Sequence, residues 1–450
     1  MDLAFPILAF LLTIVATRRS LGAGLGMAIA VGYVSGVIRA NFLGVFTTFM
    51  FDAAMLGFYT GSFTRVRAAI RERALPPGLV NRVIMLCVFA LIVAVIPVND
   101  LLVQLVALRG TIWLLPTLLV AALLDDNDLS TVARILVPLN LLALAVGFYI
   151  YFKGVEAVYP KNVITQIIYG SRLGTSTGEY QRIPSTFLSA AAYGGTMTAS
   201  IPFLAGALVR RPGGFERFAL ISGLAAACIG VLMCGSRQPA VSLGLMLVIT
   251  WGLAGFSARV GILLAAIAAV SVVLLASNER FARVLEVQNT GMVVYRASGS
   301  MNAGFFDLVA EYPMGAGMGS AVGTSIPSFL ADRAPKPVGM ENEYSRILID
   351  QGLIGLLLWL AFVAWVLWPP PRSAPGDPWA FGVKMIYAFV LICWTTAFIG
   401  TGLLSSIPFS LLMMAQMGIT IARRASQPVA GRVHERVFRR PGFGQIPARR

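Results

Sequence analysis

Long apolar stretches separated by short polar connections constrain this chain more than any other feature. A helix needs about 20 mostly apolar residues to cross a bilayer, and thirteen stretches approach that length. The composition agrees, since 57% of the 450 residues are hydrophobic and only 12% are charged, whereas a soluble domain is about a quarter charged. The sequence therefore predicts an all-α, polytopic transmembrane bundle of about 12–13 spans. The predicted spans are 3–17, 21–38, 44–61, 80–98, 107–124, 131–152, 187–209, 217–233, 238–256, 259–276, 347–368, 380–400 and 404–422.

Arginines in alternate connections predict how this bundle lies in its membrane. Connections rich in Lys and Arg tend to face the cytoplasm, and here they follow every second predicted span. This alternation predicts extracytoplasmic loops at 153–186 and 277–346, within an integral membrane domain of residues 1–422. It also predicts a basic cytoplasmic tail at 423–450. The acidic connection 125–128 falls on the cytoplasmic side and is a local exception.

The net charge and the cysteine and histidine content limit which partners and cofactors the chain can be expected to bind. The net charge is +15, but because the basic residues cluster between apolar spans, they indicate contact with anionic lipid headgroups rather than nucleic acid. The four cysteines have no CxxC spacing, and the single histidine, His434, lies in the tail. We therefore predict neither a metal site nor a cofactor.

The longest polar interruption, 277–346, is the first candidate for a functional site, because long ordered loops tend to be functional. It contains Arg296, the glycine-spaced EYPMGAGMG at 311–319, and the ENEY sequence at 341–344 that leads into the next apolar stretch. The glycines superficially resemble a dinucleotide fingerprint, but no strand precedes them. A tightly turning or flexible loop is the better interpretation.

Three further arginines precede apolar stretches on the predicted outer side. Arg237 lies in GSRQPAVSLGL, Arg172 in SRLGTSTGEY and Arg182 in QRIPSTF. A planar guanidinium suits phosphate oxygens, and glycine and serine near Arg172 and Arg182 permit a ligand to approach the backbone. The alternative is that Arg237 reaches outer headgroups and that the other two belong to a solvated loop. Asp52, inside a span, is expected to be paired within the bundle.

Four of these motifs, in this order, resemble the O-antigen ligase and polysaccharide polymerase superfamily of bacterial membrane proteins. They are QRIPSTF, GSRQPAVSLGL, the segment from Tyr295-Arg296 to EYPMGAG, and ENEY followed by DQGLIG at 350–355. The resemblance implies a GT-C-like helical glycosyltransferase of the cytoplasmic (inner) membrane, without a metal, that uses undecaprenyl-diphosphate-linked oligosaccharide at the extracytoplasmic face. Membrane lipids and polysaccharide export or chain-length proteins are the further partners it implies.

Carried over by position, Arg237 and Arg296 would hold the diphosphate of the donor. Glu341 departs from the family, because the ligases have a catalytic histidine there; this departure favours a polymerase over a ligase. A carboxylate can act as the acceptor's base if burial raises its pKa, so Glu341 is the first candidate for the base. Substrate-binding candidates are Arg172, Arg182, Asn342, Glu343 and Tyr344, with Glu343 also the second candidate for the base.

Three other interpretations stay open at this point. Glu341 could be an exposed loop carboxylate or an ion-pair partner of Arg346. The chain could be a ligase that transfers glycan to a lipid or protein acceptor. It could also be a transporter of the same lipid-linked glycan, although two related halves, which transporters often have, are not found in the sequence.

Overall fold

The computed structural model describes residues 2–96, 98–175, 178–210, 212–253, 304–321, 328–336, 338, 342–371, 376–400 and 402–425. Over these ranges the chain is mainly helical. The α-helices are α1 Ala4–Arg19, α2 Leu21–Asn41, α3 Met50–Arg71, α4 Leu79–Val95, α5 Leu101–Ile112, α6 Pro116–Ala121, α7 Asp126–Lys153, α8 Gln166–Gly170, α9 Ala190–Val209, α10 Gly214–Met233, α11 Arg237–Leu253, α12 Phe305–Glu311, α13 Glu343–Leu367, α14 Ala380–Thr395 and α15 Phe409–Ala425. Short 3-10 turns occupy Phe46–Phe49, Val155–Ala157 and Ser328–Arg333.

Within the described ranges, six helical segments are long and apolar enough to cross a membrane, which makes the chain a membrane-embedded helical bundle. They are Leu21–Asn41, Leu101–Ala121 (α5 and α6 taken together), Asp126–Lys153, Ala190–Val209, Gly214–Met233 and Glu343–Leu367. Two more apolar helices, α4 and α14, are shorter. Every predicted span coincides with at least one helix except 259–276, which lies outside the described residues, so the total number of spans stays a prediction.

The helix α9 forms the centre of the bundle. It is buried along nearly its whole length and packs against α7, α10, α11, α14 and α15. Small residues allow this close packing: a Cβ on Gly206 would lie 2.5 Å from the ring of Trp379.

The predicted span at 107–124 is broken. The stretch predicted as a single span at 107–124 belongs to two helices, α5 and α6, with a turn at 113–115 between them. Pro116 explains the break, because proline lacks an N–H and its ring clashes with the carbonyl four residues earlier. The carbonyl of Trp113, freed by the turn, accepts a hydrogen bond of 2.5 Å from the hydroxyl of Tyr59.

Contacts between connections define one end of the bundle, here called the basic end. Arg65 Nη2 donates to the carbonyl of Arg18 at 3.2 Å, and Arg210 Nη1 donates to the carbonyl of Asp126 at 3.1 Å. Arg423 pairs with Asp126. The described connections around Arg18, Arg65, Arg210 and Arg423, which the alternation of arginines assigns to one side of the membrane, therefore meet at one end.

The acidic connection at this end is a helix start. The carboxylate of Asp125 accepts from the backbone N–H of Asp128 at 2.7 Å, and Asp128 reciprocates at 3.4 Å, which forms a capping box. Asp128 also accepts from the backbone N–H of Gly22 at 2.8 Å. The exception to the positive-inside pattern thus caps α7, ties it to α2 and pairs with Arg423.

The opposite end, here called the loop end, gathers the predicted outer connections. Asn41 Nδ2 donates to the carbonyl of Val158 at 3.0 Å, and Tyr159 donates to the carbonyl of Ser185 at 2.7 Å. A two-stranded antiparallel hairpin, β1 Arg172–Thr175 and β2 Gly178–Gln181, pairs Arg172 with Gln181 in this region. It adds a small β element to the all-α prediction.

Candidate functional site

The start of α13 carries the polar residues of the ENEY motif. Asn342 is the N-cap residue, and its Oδ1 accepts from the backbone N–H of Ser345 at 2.6 Å. Glu343, Arg346 and Asp350 follow at spacings of three and four residues, which places them on one face of the helix. All three side chains are buried, with Arg346 only 8% exposed.

These three side chains form a buried charged cluster. Glu343 Oε1 accepts from Arg346 Nε at 2.9 Å and from Nη2 at 2.6 Å. Arg346 Nη1 lies 3.5 Å from Asp350 Oδ2. A buried charge is very costly unless it is paired and hydrogen-bonded, so the two carboxylates and the guanidinium depend on one another.

Both oxygens of Glu343 are engaged by protein groups. Its Oε2 accepts from the backbone N–H groups of Gly402 and Leu403, at 2.8 and 3.1 Å. Its own N–H donates to the carbonyl of Ala397 at 2.9 Å. Glu343 therefore joins α13 to the connection between α14 and α15. Tyr344 anchors the same region by donating to the carbonyl of Trp394.

The glycine-spaced segment wraps around a break in α13. Gly352 has φ 72° and ψ −179°, which interrupts the helix, and a Cβ there would lie 2.6 Å from the backbone of Met314. Ala316 N donates to the carbonyl of Ile349 at 2.7 Å, and Leu353 N donates to the carbonyl of Pro313 at 2.9 Å. The two C-terminal motifs are therefore in direct backbone contact.

The segment is a tight turn, which is one of the two alternatives, tightly turning or flexible, that the sequence left open. Gly315, Gly317 and Gly319 all have positive φ, a conformation that glycine adopts at no steric cost. Asp350 Oδ1 accepts from the backbone N–H groups of Gly319 and Ala321, both at 3.2 Å.

Asn99, which is distant in sequence and lies just before α5, also binds this turn. Its Nδ2 lies 2.8 Å from Ser320 Oγ, 3.2 Å from the carbonyl of Met318 and 3.3 Å from that of Ala316. Sequence reasoning missed Asn99. Its position just before an N-cap aspartate, Asp100, was the only local signal.

Arg237 begins α11, directly after the turn that ends α10. Its neighbour Gln238 packs against the connection between α14 and α15. A Cβ on Gly400 in that connection would lie 2.3 Å from the Oε1 of Gln238. Burial raises the pKa of the Cys234 thiol to about 12, while the nearby charge of Arg182 acts in the opposite direction. Arg182 and Arg237 therefore belong to one region of the loop end, which meets the connection that Glu343 binds.

The remaining candidates are less fully described. Arg172 lies in β1, paired through its backbone with Gln181. Glu341 and Arg296 lie outside the described residues, so the predicted approach of Arg296 to Arg237 and the role of Glu341 stay predictions. Within the described ranges, no group of three or more His, Cys, Asp or Glu side chains could hold a metal ion.

A cleft of about 50 Å³ lies beside this cluster, between α3, α5, α13 and the start of α15. Arg346 lines it on one side, and an ion pair between Arg109 Nη1 and Asp52 Oδ2, 3.2 Å long, lines it on another. Ser405 and Ser410 add hydroxyl groups. The expected pairing of Asp52 within the bundle is confirmed.

Sequence reasoning missed Arg109, and it missed that Arg346 joins Glu343 and Asp350 in one charged cluster. The spacing of Glu343, Arg346 and Asp350 along one helix was a signal that could have found the cluster. No comparable signal joins Arg109 to Asp52, because they are 57 residues apart.

Comparison with protein-family models gives no match for this chain, and comparison with curated proteins gives none either.

Proposed function

We propose that the chain is a metal-independent, GT-C-like glycosyltransferase that polymerises undecaprenyl-diphosphate-linked glycan repeats at the outer face of the cytoplasmic membrane. The observation that carries the proposal is the meeting of the resembling motifs at one end of a membrane-embedded bundle. The EYPMGAG turn lies against the DQGLIG break. The connection bound by Glu343 also packs against Gln238, next to Arg237.

The proposed reaction is a direct displacement. The acceptor hydroxyl attacks the anomeric carbon of the donor, the bond from that carbon to the diphosphate oxygen breaks, and the hydroxyl proton passes to the carboxylate of Glu341. The configuration at the anomeric carbon is inverted. Arg237 and Arg296 stabilise the negative charge that develops on the diphosphate, as preorganised cations do in transition states.

The described geometry refines the roles of the neighbouring residues. Because both oxygens of Glu343 accept hydrogen bonds from the protein, we assign it to positioning the helix start that follows Glu341. Asn342 and Tyr344 hold the same start. Arg182, beside the Arg237 turn, and Arg172 are left as the proposed contacts to the glycan.

A transporter of the same lipid-linked glycan is the second candidate, and one observation favours it. Transporters bind their substrates at discontinuous helices, and two helix breaks, at 113–115 and at Gly352, flank the cleft or its charged wall. The two candidates differ in product. A transporter moves unchanged lipid-linked repeats between leaflets, whereas the proposed enzyme makes longer glycans without any transport step.

A deletion strain tests the proposal against a ligase. Loss of a polymerase leaves single repeats on the lipid carrier, while loss of a ligase leaves long polymer that is not attached to its acceptor. Long unattached polymer in the deletion strain would contradict the polymerase assignment.

A further inference from the structure

Two arginines share one aromatic ring at the basic end of the bundle. The Cζ atom of Arg82, in the first turn of α4, lies 4.1 Å from the centroid of the Trp365 ring, and the Cζ atom of Arg424, in α15, lies 4.7 Å from it. Cations at such distances are attracted by the ring. Because Trp365 belongs to the last turn of α13, this ring holds two positive charges from two helices at the end of a third.

The charges of these two arginines are not balanced by a carboxylate within the described ranges. Arg82 Nη1 donates to the carbonyl of Gly78 at 3.2 Å. Arg424 Nη1 donates to backbone carbonyls at the end of α13, at 2.8 Å for that of Trp368, and so satisfies the helix terminus. These acceptors are neutral, so both guanidinium groups keep their full charge.

The neighbouring carboxylates of the basic end have other partners. Arg423, next to Arg424, pairs with Asp126 and lies 3.9 Å from Asp377. Glu72, in the connection before α4, pairs with neither Arg82 nor Arg424. Two like charges held at one ring repel each other, so an anion that contacts both lowers the free energy of the folded chain.

Exposed apolar side chains continue from this ring along α4 and α13. They include Ile84, Val88, Leu91 and Ile92 on α4, and Leu357 and Leu360 on α13. An exposed apolar surface of this kind marks contact with lipid. Trp368, 77% exposed at the end of α13, is a residue type enriched where membrane meets water. A ligand here can therefore place an anionic group at the ring and acyl chains along the helices, which a free anion cannot do.

We propose that Arg82, Trp365 and Arg424 form a binding site for the phosphate headgroup of an anionic phospholipid. Guanidinium groups bind phosphate oxygens well, and the cytoplasmic leaflet, which the basic end is expected to face, is rich in anionic lipid. The sequence predicts contact of the basic residues with such lipids in general, whereas the structure selects this pair. The site is independent of glycan transfer, because it lies at the opposite end of α13 from the ENEY motif.

The test is native mass spectrometry of the full chain in detergent micelles, which counts bound molecules and yields apparent dissociation constants. The probes are phosphatidylglycerol, phosphatidylcholine and glycerol phosphate, the last being a headgroup phosphate without acyl chains. Arg82→Gln removes one charge, and Trp365→Leu keeps both charges but removes the ring that holds them. Arg217→Gln, at an exposed arginine in α10 at the basic end, removes the same charge elsewhere and is the matched control.

We expect the dissociation constant of the most tightly bound phosphatidylglycerol to rise about fivefold to tenfold in Arg82→Gln. It should rise about twofold to fivefold in Trp365→Leu. Arg217→Gln should bind this lipid as the wild type does, and phosphatidylcholine should bind equally to all four chains. The unfolding midpoint checks that each variant is folded, and if Trp365→Leu is not, Arg82→Gln decides alone.

Two results would overturn the proposal. Equal losses in Arg82→Gln and Arg217→Gln, or a loss in neither, would show a diffuse attraction between anionic lipid and a basic protein rather than a site. Displacement of phosphatidylglycerol by glycerol phosphate at a similar concentration would show a site for free phosphate and contradict the assignment to a lipid.

Discussion

At the scale of single residues, the structure shows which polar groups near the start of α13 hold the protein together. Glu343 was a candidate for substrate contact, yet its two oxygens accept four hydrogen bonds from Arg346, Gly402 and Leu403. Arg346, considered from sequence as a partner of Glu341, pairs with Glu343 and Asp350.

Breaking the buried cluster should lower the free energy of unfolding far more than breaking an exposed ion pair. Arg346→Ala leaves two buried carboxylates without their cation, and we expect a loss of about 3–5 kcal/mol in the free energy of unfolding. Arg134→Ala removes the exposed pair with Glu216 and should cost about 0–1 kcal/mol. Denaturant unfolding in detergent micelles compares them, and equal losses would contradict a structural role for the cluster.

Arg237 should affect transfer rather than folding. Replacing it by alanine removes a charge-assisted contact to the proposed diphosphate, worth about 1.5–3 kcal/mol, so transfer should slow by about tenfold to a hundredfold. Arg237→Lys should recover only part of the rate, because lysine lacks the planar fork. The measurement is the initial rate of glycan transfer, with the unfolding midpoint as control. A normal rate in Arg237→Ala would show that Arg237 does not hold the diphosphate.

At the scale of helices and turns, the break in α13 organises the site. Gly352 lets the chain leave and re-enter the helix, and the carbonyl of Ile349 thereby becomes an acceptor for the glycine turn. The tight fit of backbone on backbone leaves no room for a side chain on Gly352 or Gly315.

Gly352→Ala should therefore destabilise the protein. Alanine would be strained at φ 72°, at a cost of about 1–3 kcal/mol, and its Cβ would meet the backbone of Met314 at 2.6 Å. The matched control is Gly244→Ala in α11, where a Cβ meets no atom of the described residues within 4 Å and where alanine is favoured by up to about 1 kcal/mol. The measurement is the midpoint of thermal unfolding of both variants. The midpoint should fall for Gly352→Ala and not for Gly244→Ala, and an unchanged midpoint for Gly352→Ala would contradict the described packing.

The helices could be predicted because their length and apolar character are local properties of the sequence. The glycines at 311–319 predicted a tightly turning or flexible loop, without deciding between the two. The break at 113–115 was missed because apolar residues continue through it, even though Pro116 was visible. The site could be predicted only as a set of motifs. Its contacts, such as Asn99 with Ser320 across 221 positions and Glu343 with Gly402 across 59, depend on how the helices pack.

At the scale of the whole molecule, the alternation of arginines along the sequence becomes a division between two ends. Arg18, Arg65, Arg210 and Arg423 meet at the basic end, while Asn41, Tyr159 and the glycine turn belong to the loop end. Basic residues favour the cytoplasmic side, so the loop end should face outward.

Labelling of single cysteines tests this orientation. Lys161, with a 69% exposed side chain, lies at the loop end, and Arg217 is exposed at the basic end. With Cys87 replaced by serine, Lys161→Cys should react with a membrane-impermeant maleimide in intact cells, and Arg217→Cys only after permeabilisation. The reverse pattern would place the loop end in the cytoplasm and contradict the proposed mechanism.

The most direct test of the central claim is glycan elongation by the purified chain in proteoliposomes that contain only lipid-linked single repeats. We predict a ladder of longer glycans on the lipid carrier from the wild type. In Glu341→Gln, which keeps the shape of the side chain but removes its basicity, turnover should fall by about a hundredfold to ten-thousandfold, while donor binding is retained. If the wild type moves single repeats between leaflets and makes no longer product, the chain is a transporter and the account is wrong.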